Sequence, residues 1–140
     1  MKQRRVHPDG NCLFRAATVA ASSDAFHNMT PEVERECALK LCLDVVQYMS
    51  ENEARFIPYM DLDDLSFQEY TEKMKRAAWG GEPELLAIAE VKGCPVHVYV
   101  QKEGGFDRYR SYPASHPQTP NEISLLFDFE LQHYDALLRE

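Results

Sequence analysis

The segment Asp9-Gly10-Asn11-Cys12 places a thiol directly after a turn and at the start of a predicted helix. A thiol becomes a nucleophile when it loses its proton, and the N-terminus of a helix can lower a thiol pKa by favouring the thiolate. Gly10 permits unusual backbone angles, so the amides of the turn could converge and stabilise the oxyanion formed when a carbonyl is attacked. Asn11 can cap the helix and support the turn. Cys12 is therefore a candidate nucleophile, although many cysteines at helix starts are structural.

A catalytic cysteine needs a base, and two of the five histidines are followed two residues later by an aspartate. Such an acceptor fixes the tautomer of the imidazole. Residues i and i+2 of a strand face the same side, so His133 and Asp135 would lie side by side. In the other pair, His7 and Asp9, the intervening Pro8 disfavours regular strand geometry. His133 is the candidate base, and a surface histidine is the alternative interpretation.

The remaining cysteines, Cys37, Cys42 and Cys94, have no metal-binding or disulfide spacing. Cys37 and Cys42 would lie about 140° apart around a helix and could not both face one metal ion comfortably. We therefore predict no metal site. The absence of a Cys-x-x-Cys pair fits a reducing compartment, and we expect a cytoplasmic location.

The charge balance bears on the kind of partner. Lys and Arg number 15 against 23 Asp and Glu, which gives a net charge of -8. A basic patch typical of nucleic-acid binding is not visible, and no apolar run approaches the roughly 20 residues of a membrane span. The N-terminal sequence lacks the apolar stretch of a signal peptide. We predict no binding to nucleic acid or membrane; the acidic charge could steer a basic protein partner or serve solubility alone.

The hydrophobic pattern predicts helices first and strands afterwards. A helix begins after Asn11, a second begins at Thr30-Pro31-Glu32, and residues 51–78 carry one or two more, interrupted near Pro58. A further helix follows Trp79-Gly80-Gly81 and ends at Gly93. The apolar period then changes from 3.6 to 2. Four strands are predicted, at Val96–Gln101, Phe106–Tyr112, Ile123–Phe129 and His133–Leu137. This order indicates the α+β class.

Three separated segments resemble one family, the ovarian-tumour (OTU) domain cysteine proteases. The segments are Asp9–Ala16, Trp79–Leu85 and His133–Asp135. Their order and spacing also resemble those of the family, and the likeness runs through nearly the whole chain. The resemblance implies an OTU-type fold, with a small, mostly antiparallel sheet packed between helices. It further implies that residues 1–140 form a single catalytic domain.

The same resemblance implies a deubiquitinase, which hydrolyses the isopeptide bond at the C-terminal glycine of ubiquitin through a thioester. By this match Cys12 is the nucleophile, His133 the general base and later the acid, and Asp135 the residue that orients His133. Asp9 belongs to the Asp-Gly-x-Cys signature, and its region, with Gly10 and Asn11, is expected to help build the oxyanion site. No metal or organic cofactor is implied.

The expected partners are ubiquitin, polyubiquitin chains and ubiquitinated proteins, and the chain is expected to act as a monomer. If the protein is a secreted microbial effector, the expected location becomes the host cytosol. Two other functions stay open. One is a ubiquitin-binding module with the fold but little turnover, and the other is a thiol hydrolase acting on a different substrate or a ubiquitin-like modifier.

Two further segments could contact ubiquitin. The tail of ubiquitin ends in Gly-Gly, which can thread a narrow slot, and Trp79, Gly80 and Gly81 could form one wall of it; a core tryptophan and a turn at the start of a helix are the alternative. The segment from Glu51 to Glu72 contains seven acids and one base, Arg55. It could face the basic surface of ubiquitin, or be the solvated face of a helix.

Overall fold

The computed structural model of the protein describes residues 1–22, 28–59, 66–74 and 81–139. The helices are α1 (Cys12–Ala21), α2 (Pro31–Glu51), α3 (Glu53–Phe56), α4 (Phe67–Met74) and α5 (Glu82–Lys92), and a 3₁₀ turn spans Ile57–Tyr59. The strands are β1 (Lys2–Arg4), β2 (Val96–Lys102), β3 (Gly105–Tyr112), β4 (Ile123–Asp128) and β5 (His133–Leu138). Within the described ranges, no helix combines the length and apolar character that a membrane crossing needs.

The helix ends follow from local chemistry. Thr30 caps α2, because its Oγ1 accepts a hydrogen bond from Val33 N at 3.3 Å, and Pro31 occupies the first helical position. Gly93 ends α5 with φ 66°, in the left-handed region that favours glycine. Asn11 occupies the N-cap position of α1 as predicted, but its side chain makes no capping hydrogen bond.

The five strands form one sheet in the order β1-β5-β4-β2-β3. Strands β2 and β4 are parallel, and the three other neighbouring pairs are antiparallel. The predicted α+β class and mostly antiparallel sheet are confirmed. Strand β1 was not predicted from the sequence, and it pairs with β5 so that Gln3 lies opposite Leu137.

The two faces of the sheet differ. Helices α1 and α5 pack on one face, where Val96, Val98 and Leu125 belong to the main core. The alternate residues of the strands form a smaller apolar cluster on the other face, with Tyr99, Leu126 and Leu137. Because strand side chains alternate, His133 and Asp135 share this second face with Leu137, whereas Tyr134 points towards the helices.

Candidate active site

Cys12 is the first residue of α1, and its side chain is buried. The turn before it closes on Asp9, whose carbonyl oxygen accepts from Cys12 N at 3.1 Å. The Asp9 carboxylate oxygen Oδ1 accepts from Asn11 N at 2.9 Å. These two bonds fix the backbone that carries the thiol.

The turn differs from the sequence prediction in two respects. Among the described residues, the glycines with positive φ are Gly93, Gly104 and Gly105, and Gly10 is not one of them. The amides of Asn11 and Cys12 do not converge on an empty point, because Asp9 accepts a hydrogen bond from each. Among the described residues, Gly10 N–H is the amide of this turn left without an internal acceptor. Asn11 therefore supports the turn through its backbone N–H, whereas its buried side-chain oxygen Oδ1 has no hydrogen-bond partner among the described residues.

His133 and Asp135 lie side by side on β5, as their spacing predicts. His133 Nε2 is 2.7 Å from Asp135 Oδ1. An ionised carboxylate only accepts hydrogen bonds, so Nε2 of the imidazole carries the proton and Nδ1 carries the lone pair. Nδ1 is buried and has no hydrogen-bond partner among the described residues. A proton acceptor is thus held ready in a fixed orientation.

The fold brings this pair to the thiol, since α1 packs against β5. The Cys12 sulfur is hydrogen-bonded to the backbone of Tyr134, the residue between His133 and Asp135. That bond lowers the pKa of the thiol, so the group that donates it is the Tyr134 N–H. At one corner, where the start of α1 meets the start of β5, the Cys12 sulfur therefore lies against the backbone of the residue between His133 and Asp135.

The electrostatics of Cys12 differ from the expected activation by the helix. Burial is the largest influence and raises the pKa of the Cys12 thiol above its ordinary value. The negative charges of Asp9 and Asp135 raise it as well, whereas the backbone N–H groups of Tyr134 and Leu13 lower it. The net direction is upward, so the resting thiol is protonated and needs a base.

We expect alkylation of Cys12 by iodoacetamide to keep accelerating above pH of about 8.5, the ordinary thiol pKa, because only the thiolate reacts. The rate is followed by mass spectrometry of the Cys12 peptide at a series of pH values. Cys42 serves as the buried comparison in the same digest, since burial raises its pKa to about 11. A Cys12 rate that is already constant below neutral pH would instead show a resting thiolate–imidazolium pair.

The Asp9 carboxylate belongs to a buried ionic network that the sequence did not predict. Arg15 Nη2 lies 3.0 Å from Asp9 Oδ2, and Arg15 Nη1 lies 3.1 Å from Glu34 Oε1. Arg15 and Glu34 are 4% and 2% exposed, so they are withdrawn from water and depend on each other. Glu34 also pairs with Arg4 Nη2 at 3.4 Å and accepts from His7 N at 3.4 Å. This network anchors the turn before Cys12 to α2 and to the N-terminal strand.

Asp135 has two further partners that sequence reasoning missed. Its Oδ1 accepts from Val6 N at 3.0 Å, and its Oδ2 accepts from the side-chain amide of Gln3 at 2.8 Å. Both donors come from β1 and the residues that follow it. A polar three-residue strand has no apolar periodicity, so the sequence carried no signal for them.

An open groove of about 700 Å³ adjoins this corner. It runs from Gly81 and Leu85 at the start of α5 to Phe127 and Tyr134 on β4 and β5. Tyr134 thus both lines the groove and contacts Cys12 through its backbone. Gly81, a predicted wall residue, lines the groove.

Several other sequence predictions fall outside the described residues. Trp79 and Gly80 do so, as do Asp61, Asp63 and Asp64 of the acidic segment. Of the acids that are described there, Glu69 has a structural use, because it accepts from Ser66 N at the start of α4. Among the described residues, no group of three or more His, Cys, Asp or Glu side chains could hold a metal ion.

Two curated relatives share part of this sequence. OTU domain-containing protein 2 of Saccharomyces cerevisiae is 33% identical over 105 residues, which are 70% of this chain and 33% of that protein. OVARIAN TUMOR DOMAIN-containing deubiquitinating enzyme 6 of Arabidopsis thaliana is 29% identical over 99 residues, which are 69% of this chain and 17% of that protein. The chain thus spans a third or less of the length of these relatives.

Solved structures share the fold. The OTU domain of OTUD1 superposes with a TM-score of 0.70 at 22% identity, covering 96% of this chain and 83% of that one. The Hazara virus OTU bound to ubiquitin superposes with a TM-score of 0.64 at 20% identity, covering 96% of this chain and 79% of that one. The family model described as OTU-like cysteine protease matches residues 7–130, a range that includes Cys12 and ends before His133. Because this match covers most of the chain, the chain belongs to the family of OTU-like cysteine proteases.

Proposed function

We propose that this chain is a deubiquitinase that hydrolyses isopeptide bonds at the C-terminal glycine of ubiquitin through a thioester on Cys12. The observation that carries the proposal is the corner where the Cys12 sulfur contacts the β5 backbone between His133 and Asp135. A buried thiol, an imidazole with a free lone pair and a carboxylate that fixes its tautomer are the groups that thiol-dependent acyl transfer requires.

The first step is attack on the isopeptide carbonyl. His133 Nδ1 takes the proton of the Cys12 thiol, and the sulfur forms a bond to the carbonyl carbon of the terminal glycine. The tetrahedral intermediate collapses as the carbon–nitrogen bond breaks. His133 gives its proton to the departing lysine amine, and the glycyl thioester remains on Cys12.

The second step releases ubiquitin. His133 takes a proton from a water molecule, and the hydroxide attacks the thioester carbon. The carbon–sulfur bond then breaks, the proton on His133 returns to the Cys12 sulfur, and ubiquitin leaves with a terminal carboxylic acid that releases its proton to water. Asp135 keeps His133 in the tautomer that both steps need and stabilises the imidazolium formed in each.

In this proposal, the turn before Cys12 stabilises the oxyanion of the tetrahedral intermediate. Gly10 N–H lacks an internal acceptor among the described residues, so it can donate to the oxygen that becomes negative. Asn11 and Asp9 hold the shape of the turn, because the backbone N–H of Asn11 donates a hydrogen bond to the Asp9 carboxylate. The Asp9 side chain is therefore a structural anchor in this assignment rather than a group that touches substrate.

The groove beside the corner fits a substrate tail. It is mainly apolar, with Leu85, Val98 and Phe127 in its wall. Glu82 also lines it, and its carboxylate lies 2.7 Å from Arg110 Nη1. Because Arg110 already neutralises Glu82, the groove offers a tail mainly apolar contacts, and a final Gly-Gly, which has no side chains, can lie beside Gly81.

The names of the relatives support ubiquitin as the substrate. The Arabidopsis relative is called a deubiquitinating enzyme, and the Hazara virus domain with the same fold is bound to ubiquitin. These names do not specify which linkage between ubiquitin units is cleaved. A ubiquitin-like modifier is the competing substrate.

Ubiquitin carrying a C-terminal electrophile tests the proposal. We expect a one-to-one adduct by intact mass with the wild-type chain and none with Cys12→Ala, because the probe requires both recognition of ubiquitin and a reactive thiol. Cys37→Ser, which alters the exposed thiol of α2, is the matched control and should still form the adduct.

The absence of an adduct from a folded wild-type chain would contradict the proposal. Ubiquitin binding without an adduct would then favour a binding module with little turnover. Labelling of Cys12 by iodoacetamide without ubiquitin binding would favour a thiol hydrolase with another substrate.

A further inference from the structure

Asp135 is a buried carboxylate whose hydrogen bonds are made by two different parts of the chain. It is 7% exposed, and His133 Nε2 and Val6 N both donate to its Oδ1, at 2.7 and 3.0 Å. Its Oδ2 accepts from Gln3 Nε2 at 2.8 Å. A carboxylate removed from water needs donors on both oxygens, and Gln3 supplies the bond to the second oxygen.

The register of the sheet explains why Gln3 reaches this oxygen. Gln3 lies opposite Leu137 in the antiparallel pair of β1 and β5, so it shares a face with Asp135, two residues away on the partner strand. Such diagonal neighbours are about 7–8 Å apart, which a long side chain can span. An asparagine at this position is one methylene shorter and would not reach.

We propose that Gln3 is a positioning residue of the active site, which holds Asp135 so that its Oδ1 stays directed at His133. This inference rests on the proposed function of the corner formed by Cys12 and His133. Without the Gln3 amide, only Oδ1 of Asp135 keeps its hydrogen bonds, so the carboxylate is free to rotate about the bond that joins it to the side chain. The imidazole of His133 then loses part of its fixed orientation. The N-terminal strand is then a component of the catalytic machinery rather than only the edge of the sheet.

Gln3→Met tests this role, since methionine keeps the length of the side chain but donates no hydrogen bond. We expect kcat for a ubiquitin substrate to fall about tenfold, the lower end of the loss seen when a partner that orients a metal-binding histidine is removed. KM should change little, because Gln3 does not line the groove assigned to the tail. Lys2→Met, on the exposed neighbour in the same strand, is the matched control and should keep wild-type kcat.

The tautomer of His133 supplies a readout that a merely structural role would not move. If Gln3 keeps Asp135 Oδ1 directed at His133, the neutral imidazole holds its proton on Nε2, and in Gln3→Met a larger fraction of the ring should carry it on Nδ1. The nitrogen chemical shifts of the His133 ring, recorded by NMR on the full chain at one fixed pH, report this fraction, and Lys2→Met should match wild type.

The outcomes separate this inference from the proposed function. If wild type hydrolyses ubiquitin conjugates, but Gln3→Met matches Lys2→Met in kcat and in the nitrogen shifts of the His133 ring, Gln3 is only a strand residue. If wild type does not hydrolyse ubiquitin conjugates but the nitrogen shifts of the His133 ring move in Gln3→Met, the proposed function fails while the positioning contact stands. Should Gln3→Met not fold, Gln3→Asn replaces it, because it keeps a polar side chain and loses only the reach.

Discussion

His133→Ala is expected to lower kcat/KM for ubiquitin conjugates by about 10²- to 10⁴-fold, the usual contribution of a positioned general base and acid. The reason is the state of the thiol. Burial and two nearby carboxylates raise the pKa of Cys12, so the sulfur carries a proton at rest and cannot attack until a base removes it. The measurement is steady-state hydrolysis of di-ubiquitin, whose lysine leaving group also requires a proton. His97→Ala is the control histidine, because His97 is bonded to Ser111 and Glu122 elsewhere in the sheet.

Asp135→Ala distinguishes orientation from proton transfer in the same assay. We expect a smaller loss than in His133→Ala, because the imidazole remains and only its tautomer and direction are released. The substitution also leaves Val6 N and the Gln3 amide without their acceptor, so the folded fraction must be measured alongside. A loss equal to or greater than that of His133→Ala, in a chain that is fully folded, would contradict the orienting role.

Asp135→Asn should be milder than Asp135→Ala. The asparagine oxygen can still accept from His133 and Val6, and its new amide group would face the Gln3 side chain. The Gln3 amide can turn over and accept that hydrogen bond through its own oxygen, so the local packing is kept.

The parts of the site that the sequence predicted are those that local geometry determines. Cys12 lies at a helix start because a turn precedes an apolar helical stripe, and His133 and Asp135 are neighbours because strand residues two apart share a face. Thr30 and Gly93 mark helix ends for equally local reasons. None of these positions required knowledge of which helices and strands pack against each other.

The parts that the sequence did not predict depend on contacts between distant segments. Strand β1 exists because its backbone pairs with β5, more than a hundred positions later, and its polar residues carry no periodic signal. Gln3 therefore could not be linked to Asp135. The parallel pairing of β2 with β4 is likewise a property of the folded sheet rather than of either strand.

The ionisation state of Cys12 also could not be predicted from the sequence. The position at a helix N-terminus predicted a lowered pKa, and the structure places the thiol in the core with two carboxylates nearby, so the pKa is raised. Burial removes the water that would stabilise the thiolate, and this outweighs the backbone N–H groups that favour it. The helix start thus fixes where the sulfur is, and the pair of His133 and Asp135 determines whether it reacts.

The buried network behind the turn gives the largest expected effect on stability. Glu34 is 2% exposed and pairs with Arg15, which is 4% exposed, and with Arg4. Glu34→Ala leaves the Arg15 guanidinium buried with only Asp9 as a charged partner. Breaking a buried pair from one side costs roughly 3–5 kcal/mol, a large part of the 5–15 kcal/mol by which a domain is usually stable. We expect a decrease of that size in the free energy of unfolding, measured by urea denaturation.

Glu32→Ala is the matched control for this prediction. Glu32 lies two residues earlier in the same first turn of α2, but it is exposed, so its loss removes only the favourable interaction with the helix dipole, about 0.3–1 kcal/mol. Since Arg15 also holds the Asp9 carboxylate that closes the turn before Cys12, Glu34→Ala should slow reaction with the ubiquitin electrophile even at temperatures where the chain is folded. Equal stability of the two variants would mean that water, rather than Glu34, satisfies the Arg15 guanidinium, and that the anchor of the Cys12 turn lies in Asp9 alone.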